Sequence, residues 1–115
     1  MTPAAILESA LYVDDLDKAE AFYGEVLGLT RIAKAEIRKV FFRCGDGVLL
    51  LFNADATDIP PPADARLPVP PHGARGSGHL CFRAAGEEIE AWRRDLEKKG
   101  VAIEADFEWP NGGRS

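Results

Sequence analysis

The sequence predicts an α+β fold built from two related βαβββ modules, the second one truncated. Three observations carry that reading. The order strand, helix, glycine stop, strand occurs twice, with twelve residues from Leu16 to Gly28 and eleven from Ile89 to Gly100. A dense run of proline and glycine lies between the two copies. An Asp-Gly turn sits between two apolar runs in the first copy, which is a hairpin signal.

Each element follows from local pattern. Ile6 to Val13 is an apolar run rich in strand formers and ends at Asp14-Asp15. Asp14 or Asp15 can cap a helix over 15–27, whose apolar positions Leu16, Ala19, Phe22, Tyr23 and Val26 recur at helical spacing and should be buried. Gly28 stops that helix, and Leu29 to Ala33 begins the next strand. Lys39 to Cys44, the turn Gly45-Asp46-Gly47, and Val48 to Asn53 complete a first module over 1–53.

Six of the eight prolines lie between Pro60 and Pro71, with Gly73, Gly76 and Gly78 close behind, so 54–77 reads as a connector without regular structure. Such a long loop in a small chain is usually functional or a linker. The second module, 78–115, begins with a strand over Gly78–Ala84. A helix over 87–99 follows, with Ile89, Trp92 and Leu96 inward, then Gly100 and a strand over Val101–Ile103. Asn111-Gly112-Gly113 is hairpin turn chemistry with no partner strand after it, so this module is expected to be incomplete and to leave a sheet edge unpaired.

The 115 residues are 46% hydrophobic and 29% charged, which argues against whole-chain disorder. A formal charge of −5 without a basic stripe argues against nucleic acid as a partner. The strongest apolar run, Val48 to Phe52, is too short to span a bilayer, and Met1 to Glu8 has no basic n-region. Cys44 and Cys81 sit in apolar runs and read as small buried residues of a protein in the reducing cytoplasm.

Tyr12-Val13-Asp14-Asp15-Leu16, Ala21-Phe22-Tyr23 and Val26-Leu27-Gly28-Leu29 together resemble the opening of the vicinal oxygen chelate superfamily, which includes glyoxalase I, bleomycin and fosfomycin resistance proteins and extradiol dioxygenases. Gly78-His79-Leu80-Cys81-Phe82 resembles the start of the second module of that superfamily. The resemblance implies cupped mixed sheets with helices on their convex faces. It also implies a divalent metal (Mn, Fe, Zn or Mg) held by residues on the first strand of each module.

Those positions fall on Glu8 and His79. Strand alternation would place Glu8, Ala10 and Tyr12 on one face and Leu7, Leu11 and Val13 on the helix face; His79, Cys81 and Arg83 would oppose Leu80 and Phe82. A charged Glu8 inside an apolar strand needs a partner or a metal. Alternatives stay open: Glu8 could be solvated or paired with Arg83, and His79 could be structural. His72, in the proline-rich loop, reads as exposed. The carboxylate that glyoxalase I supplies from the last strand of its first module is replaced by Leu50.

By the same resemblance, a small substrate with two adjacent oxygens would chelate the metal, with Tyr12 and Arg83 as candidate catalytic residues orienting it. The alternative function is metal-free sequestration of a ligand in an apolar groove of Leu50, Phe42, Phe52 and Trp109. A homodimer is expected from the unpaired edges.

Overall fold

The computed structural model describes residues 1–115, which divide into two compact units, Met1–Gly78 and His79–Ser115. The first unit runs β1 (Glu8–Tyr12), α1 (Leu16–Ala21), a π-helical turn (Phe22–Val26), β2 (Thr30–Ala35), β3 (Lys39–Cys44), β4 (Gly47–Phe52) and α2 (Ala54–Thr57). The four strands form one mixed sheet in the order β1-β4-β3-β2. β1 is parallel to β4, whereas β4, β3 and β2 run antiparallel in sequence. The fold class is therefore α+β with a βαβββ first unit, as the pattern predicts.

The loop between β3 and β4 is Gly45-Asp46, with Gly47 already paired to Cys44 and Gly45 at φ 56. Glycine takes that positive φ without steric cost. Asp15 caps α1, its carboxylate accepting the Lys18 N–H at 3.0 Å. The expected single helix is instead α-helical and then π-helical, with the Leu27 N–H reaching the Phe22 carbonyl at 3.0 Å. Gly24 lies in that turn and faces the Phe42 ring, 3.5 Å from where a Cβ would stand, an ordinary packing distance.

Register divides the sheet's side chains cleanly. Val40, Phe42, Leu49 and Leu51, on one face, are buried, and Tyr23 packs on Phe42 with ring centroids 6.3 Å apart. This is the core, between helix and sheet. Burial raises the Tyr23 phenol pKa by disfavouring its charged form. Glu20 ties the helix to β2, accepting from Arg31 at 2.6 Å and Lys34 at 2.7 Å. These bonds, Lys34 first, lower the Glu20 carboxyl pKa. Leu16, Ala19, Tyr23 and Val26 are half-buried, but Phe22 is 36% exposed and turns its edge to Tyr23 rather than entering the core.

Residues 54–77 are not structureless throughout. Asn53 caps α2 by accepting from the Asp55 N–H, and three carbonyl-directed bonds close the short helix before the prolines begin. The chain then returns: the His72 N–H donates to the Thr57 carbonyl at 3.0 Å, and Arg75 pairs with Asp55 at 2.5 Å and Asp58 at 2.8 Å.

In the second unit, α3 (Gly86–Lys98) begins with the Ala85 N–H donating to the Glu88 carboxylate at 3.0 Å. It ends at Gly100, φ 83, where Gly100 and Val101 donate to the Glu97 and Leu96 carbonyls in a Schellman arrangement. The expected strands over Gly78–Ala84 and Val101–Ile103 do not form. Cys81 is exposed and Cys44 half-buried, so neither is the fully buried residue expected. Ile89 and Leu96 are half-buried, while Trp92 is 40% exposed.

The Asn-Gly-Gly turn does find a partner. Phe107 and Ser115 exchange both backbone hydrogen bonds, and Glu108 bridges Arg114. Arg114 holds Asp106 at 2.7 Å and Glu90 at 3.1 Å, which depresses both carboxyl pKa values.

Candidate functional site

The sheet face opposite α1 is built from three rows of side chains. Directly paired residues share a face, so Glu8, Val48 and Arg43 form one row; Ala10, Leu50 and Phe41 the next; and Tyr12, Phe52 and Lys39 the third. Glu8, Ala10 and Tyr12 thus share the face that strand alternation predicts. Phe42 does not: it points into the helix-side core, and the groove residue on this face is its neighbour Phe41.

Glu8 opens β1 and is exposed. The expectation of a carboxylate trapped inside an apolar strand is corrected accordingly, because the strand starts two residues later than the apolar run Ile6–Val13. Leu50 is buried at the centre of the face, where its side chain offers no metal donor.

Tyr12 ends the same strand. Its ring stacks on Phe52 with centroids 5.9 Å apart, and its hydroxyl lies 2.8 Å from His72 Nδ1. The His72 ring in turn sets its edge to Phe52 at 4.6 Å. His72 is therefore not an exposed loop residue: it is half-buried, and its loop is fastened to the α2 segment at His72 itself and at Arg75. Sequence reasoning missed this role because the contact spans sixty residues. The available signal was a lone imidazole closing a proline run long enough to imply function. Beside Tyr12 opens a cavity of about 520 Å³ lined by Tyr12, Asp14, Asn53, Asp55 and Arg75, among others.

His79 and Arg83 belong to the second unit, both exposed and both outside any strand. The alternation expected for His79, Cys81 and Arg83 lapses with the strand. Neither unit gathers three or more His, Cys, Asp or Glu side chains into a metal-holding group.

A family model of the Glyoxalase/Bleomycin resistance protein/Dioxygenase superfamily matches residues 5–109. The chain belongs to this superfamily. The glyoxalase-superfamily chain is similar to the glutathione transferase FosA of Serratia marcescens, with 31% identity over 93 residues; the match covers 81% of this chain and 58% of that protein. It thus spans little more than half the length of this curated relative. It is also similar to the crystal structure of a lactoylglutathione lyase from Agrobacterium tumefaciens, at 45% identity with a TM-score of 0.88, covering 98% of this chain and 83% of that one. The fosfomycin resistance protein FosX of Listeria monocytogenes, in a complex with Mn(II) and a dihydroxypropylphosphonic acid, shares the fold at 16% identity and a TM-score of 0.63, covering 96% and 75%.

The superfamily implies a divalent ion. Of the residues singled out, Glu8 carries a carboxylate oxygen and His79 an imidazole nitrogen, donor types that suit such an ion; both are exposed, and they belong to different units. In number they are two, short of the three protein groups that divalent sites commonly use.

Proposed function

We propose that this superfamily member carries out divalent-metal-dependent chemistry on a small substrate that presents two adjacent oxygens, with Glu8 and His79 as metal ligands and Tyr12 and Arg83 orienting the substrate. The observation that carries the reading is the face shared by Glu8 and Tyr12, a metal donor at one end of β1 and a fixed hydroxyl at the other. The likeness to a lactoylglutathione lyase structure over 98% of the chain supports it.

A bound divalent ion would supply Lewis-acid stabilisation of negative charge developing on a substrate oxygen. The rest falls to the chain. Leu50, Phe41 and Phe52 make the middle of that sheet face apolar, Leu50 and Phe52 being buried, which keeps water away from polar contacts made beside them. Tyr12 contributes a hydroxyl whose position is fixed by His72, and Arg83 an exposed guanidinium able to pair with an anionic substrate. The superfamily member is also proposed to be a homodimer, since β1 and β2 are the two edges of its sheet. Light scattering at micromolar concentration should then return twice 12.5 kDa, and a monomer across a dilution series would remove that part.

Calorimetric titration with Mn²⁺ tests the metal reading. Glu8→Ala and His79→Ala should each weaken binding about tenfold, near 1.4 kcal/mol, whereas His72→Asn should leave it unchanged. If the parent binds no metal, or both alanine variants bind like the parent, the reading fails. The second reading, metal-free ligand sequestration, then takes its place; the apolar cluster of Leu50, Phe41 and Phe52 on two adjacent rows is what favours it.

A further inference from the structure

The Tyr12–His72 pair is held from several sides. Phe52 stacks on the Tyr12 ring and meets the His72 ring edge-on. The His72 N–H is fixed on the Thr57 carbonyl, and three residues later Arg75 clamps Asp55 and Asp58. A proline-flanked imidazole is thereby pinned against the ring of one residue proposed to orient substrate.

A phenol hydroxyl is both donor and acceptor, and a neighbouring imidazole decides which role it leaves free. With neutral Nδ1 unprotonated, the Tyr12 hydroxyl donates to it and turns lone pairs outward. With the imidazole protonated, Nδ1–H donates to the Tyr12 oxygen, and the hydroxyl proton is released to point outward. The groups around the ring are Tyr12 on β1, the uncharged Phe52 on β4, and Lys39 beside Phe52 in register on β3. On the α2 side are Asp55 and Asp58, both already paired with Arg75.

We propose that His72 is a positioning residue for Tyr12: through Nδ1 it holds the hydroxyl, and its proton decides whether the hydroxyl offers a lone pair or a hydrogen to a molecule bound beside Tyr12. This rests on the reading of Tyr12 as substrate-orienting. It makes the proline-rich connector part of the site, and it implies that anionic oxygens are held better when both ring nitrogens of His72 carry a proton.

Two measurements on the whole chain test it. Ring-nitrogen NMR of ¹⁵N-histidine protein, for the parent and Tyr12→Phe, reads the pair without any ligand. The expected result is neutral His72 unprotonated at Nδ1, with a midpoint that Tyr12→Phe moves while that of His79 stays. A neutral His72 protonated at Nδ1, or a midpoint indifferent to Tyr12→Phe, overturns the proposal. Binding of oxalate, a probe with two adjacent anionic oxygens, to Mn²⁺-loaded protein reads the consequence. Tyr12→Phe and His72→Phe should each weaken oxalate by about fivefold at acid pH, the scale of one hydrogen bond. His72→Asn, which keeps a partner near the Nδ1 position, should retain most of the affinity and lose its pH dependence. If Tyr12→Phe weakens oxalate but His72→Phe does not, the positioning role is refuted. If Tyr12→Phe has no effect on oxalate, the parent reading of Tyr12 falls instead, and the NMR result still judges the pair.

Discussion

The two units carry the same strand, helix, glycine, strand pattern, yet only the first becomes a sheet. In the first, Val40 and Leu51 are fully buried and Phe42 is 1% exposed; in the second, α3 buries no residue completely. The difference lies in connectivity. In the order β1-β4-β3-β2 the two strands that flank the helix are the edges of the sheet and never touch each other. They are joined through the β3–β4 hairpin. Residues 78–84 and 101–103 correspond to those two edges, and the bridged segment of the second unit, Phe107–Ser115, closes on itself rather than forming a ladder with them. A backbone that finds no ladder stays with water, whatever its strand propensity.

Core substitutions should separate the units most sharply. Phe42→Ala should cost about 3–5 kcal/mol in chemical denaturation, because it removes a closely packed ring against Gly24 and Tyr23. Trp92→Ala, in the second unit, should cost about 1 kcal/mol, given a ring already 40% exposed. Comparable losses at the two positions would contradict the contrast. Phe22→Ala falls between them at about 1–2 kcal/mol, below the full-burial value that helical spacing alone would suggest.

Gly100→Ala tests the glycine stop, which both copies form after their helix. With φ at 83, an alanine there should destabilise the second unit by about 1 kcal/mol, seen as fraying of α3 by circular dichroism. An unchanged helix signal would mean that the Schellman bonds matter little.

The smallest effect is electrostatic. Glu20 has its pKa lowered from an ordinary 4.5 by Lys34 and Arg31, so the folded state binds fewer protons there than the unfolded chain. Its contribution is present above pH 4.5 and is lost as pH falls through the depressed folded value. Glu20→Gln should therefore lower stability slightly at neutral pH and flatten the acid side of the stability curve. A parent and variant differing equally at pH 7 and at pH 3 would remove the pair from the account.

Much of this was legible in the residues. The β3 boundaries, the Asp15 cap, the glycine stops and the shared face of Glu8, Ala10 and Tyr12 follow from capping chemistry and alternation, which are local. What was not legible depended on distant partners. Strand propensity at Leu80–Phe82 says nothing of whether a ladder is available, and helical spacing places Phe22 on the inner stripe without showing how far the sheet extends beneath it. Tyr12 was legible as a candidate, but its partner His72 was not, because a loop residue's contact across a connector leaves no periodic trace. Glu8 and His79 are singled out by the resemblance, which places ligands on the first strand of each module, and the Mn²⁺ titration tests that reading.

The contrast itself is tested most directly by amide hydrogen exchange along the whole chain. Amides of β3 and β4, with Val13 and Val48 bonded to the Phe52 and Leu7 carbonyls, should exchange slowly, near the global unfolding limit. Those of Leu80, Cys81 and Arg83, and of Ala102 and Ile103, should exchange fast, close to unprotected rates. Protection of Leu80–Arg83 equal to that of β1 would show that the second copy forms its strand after all, and would contradict the account.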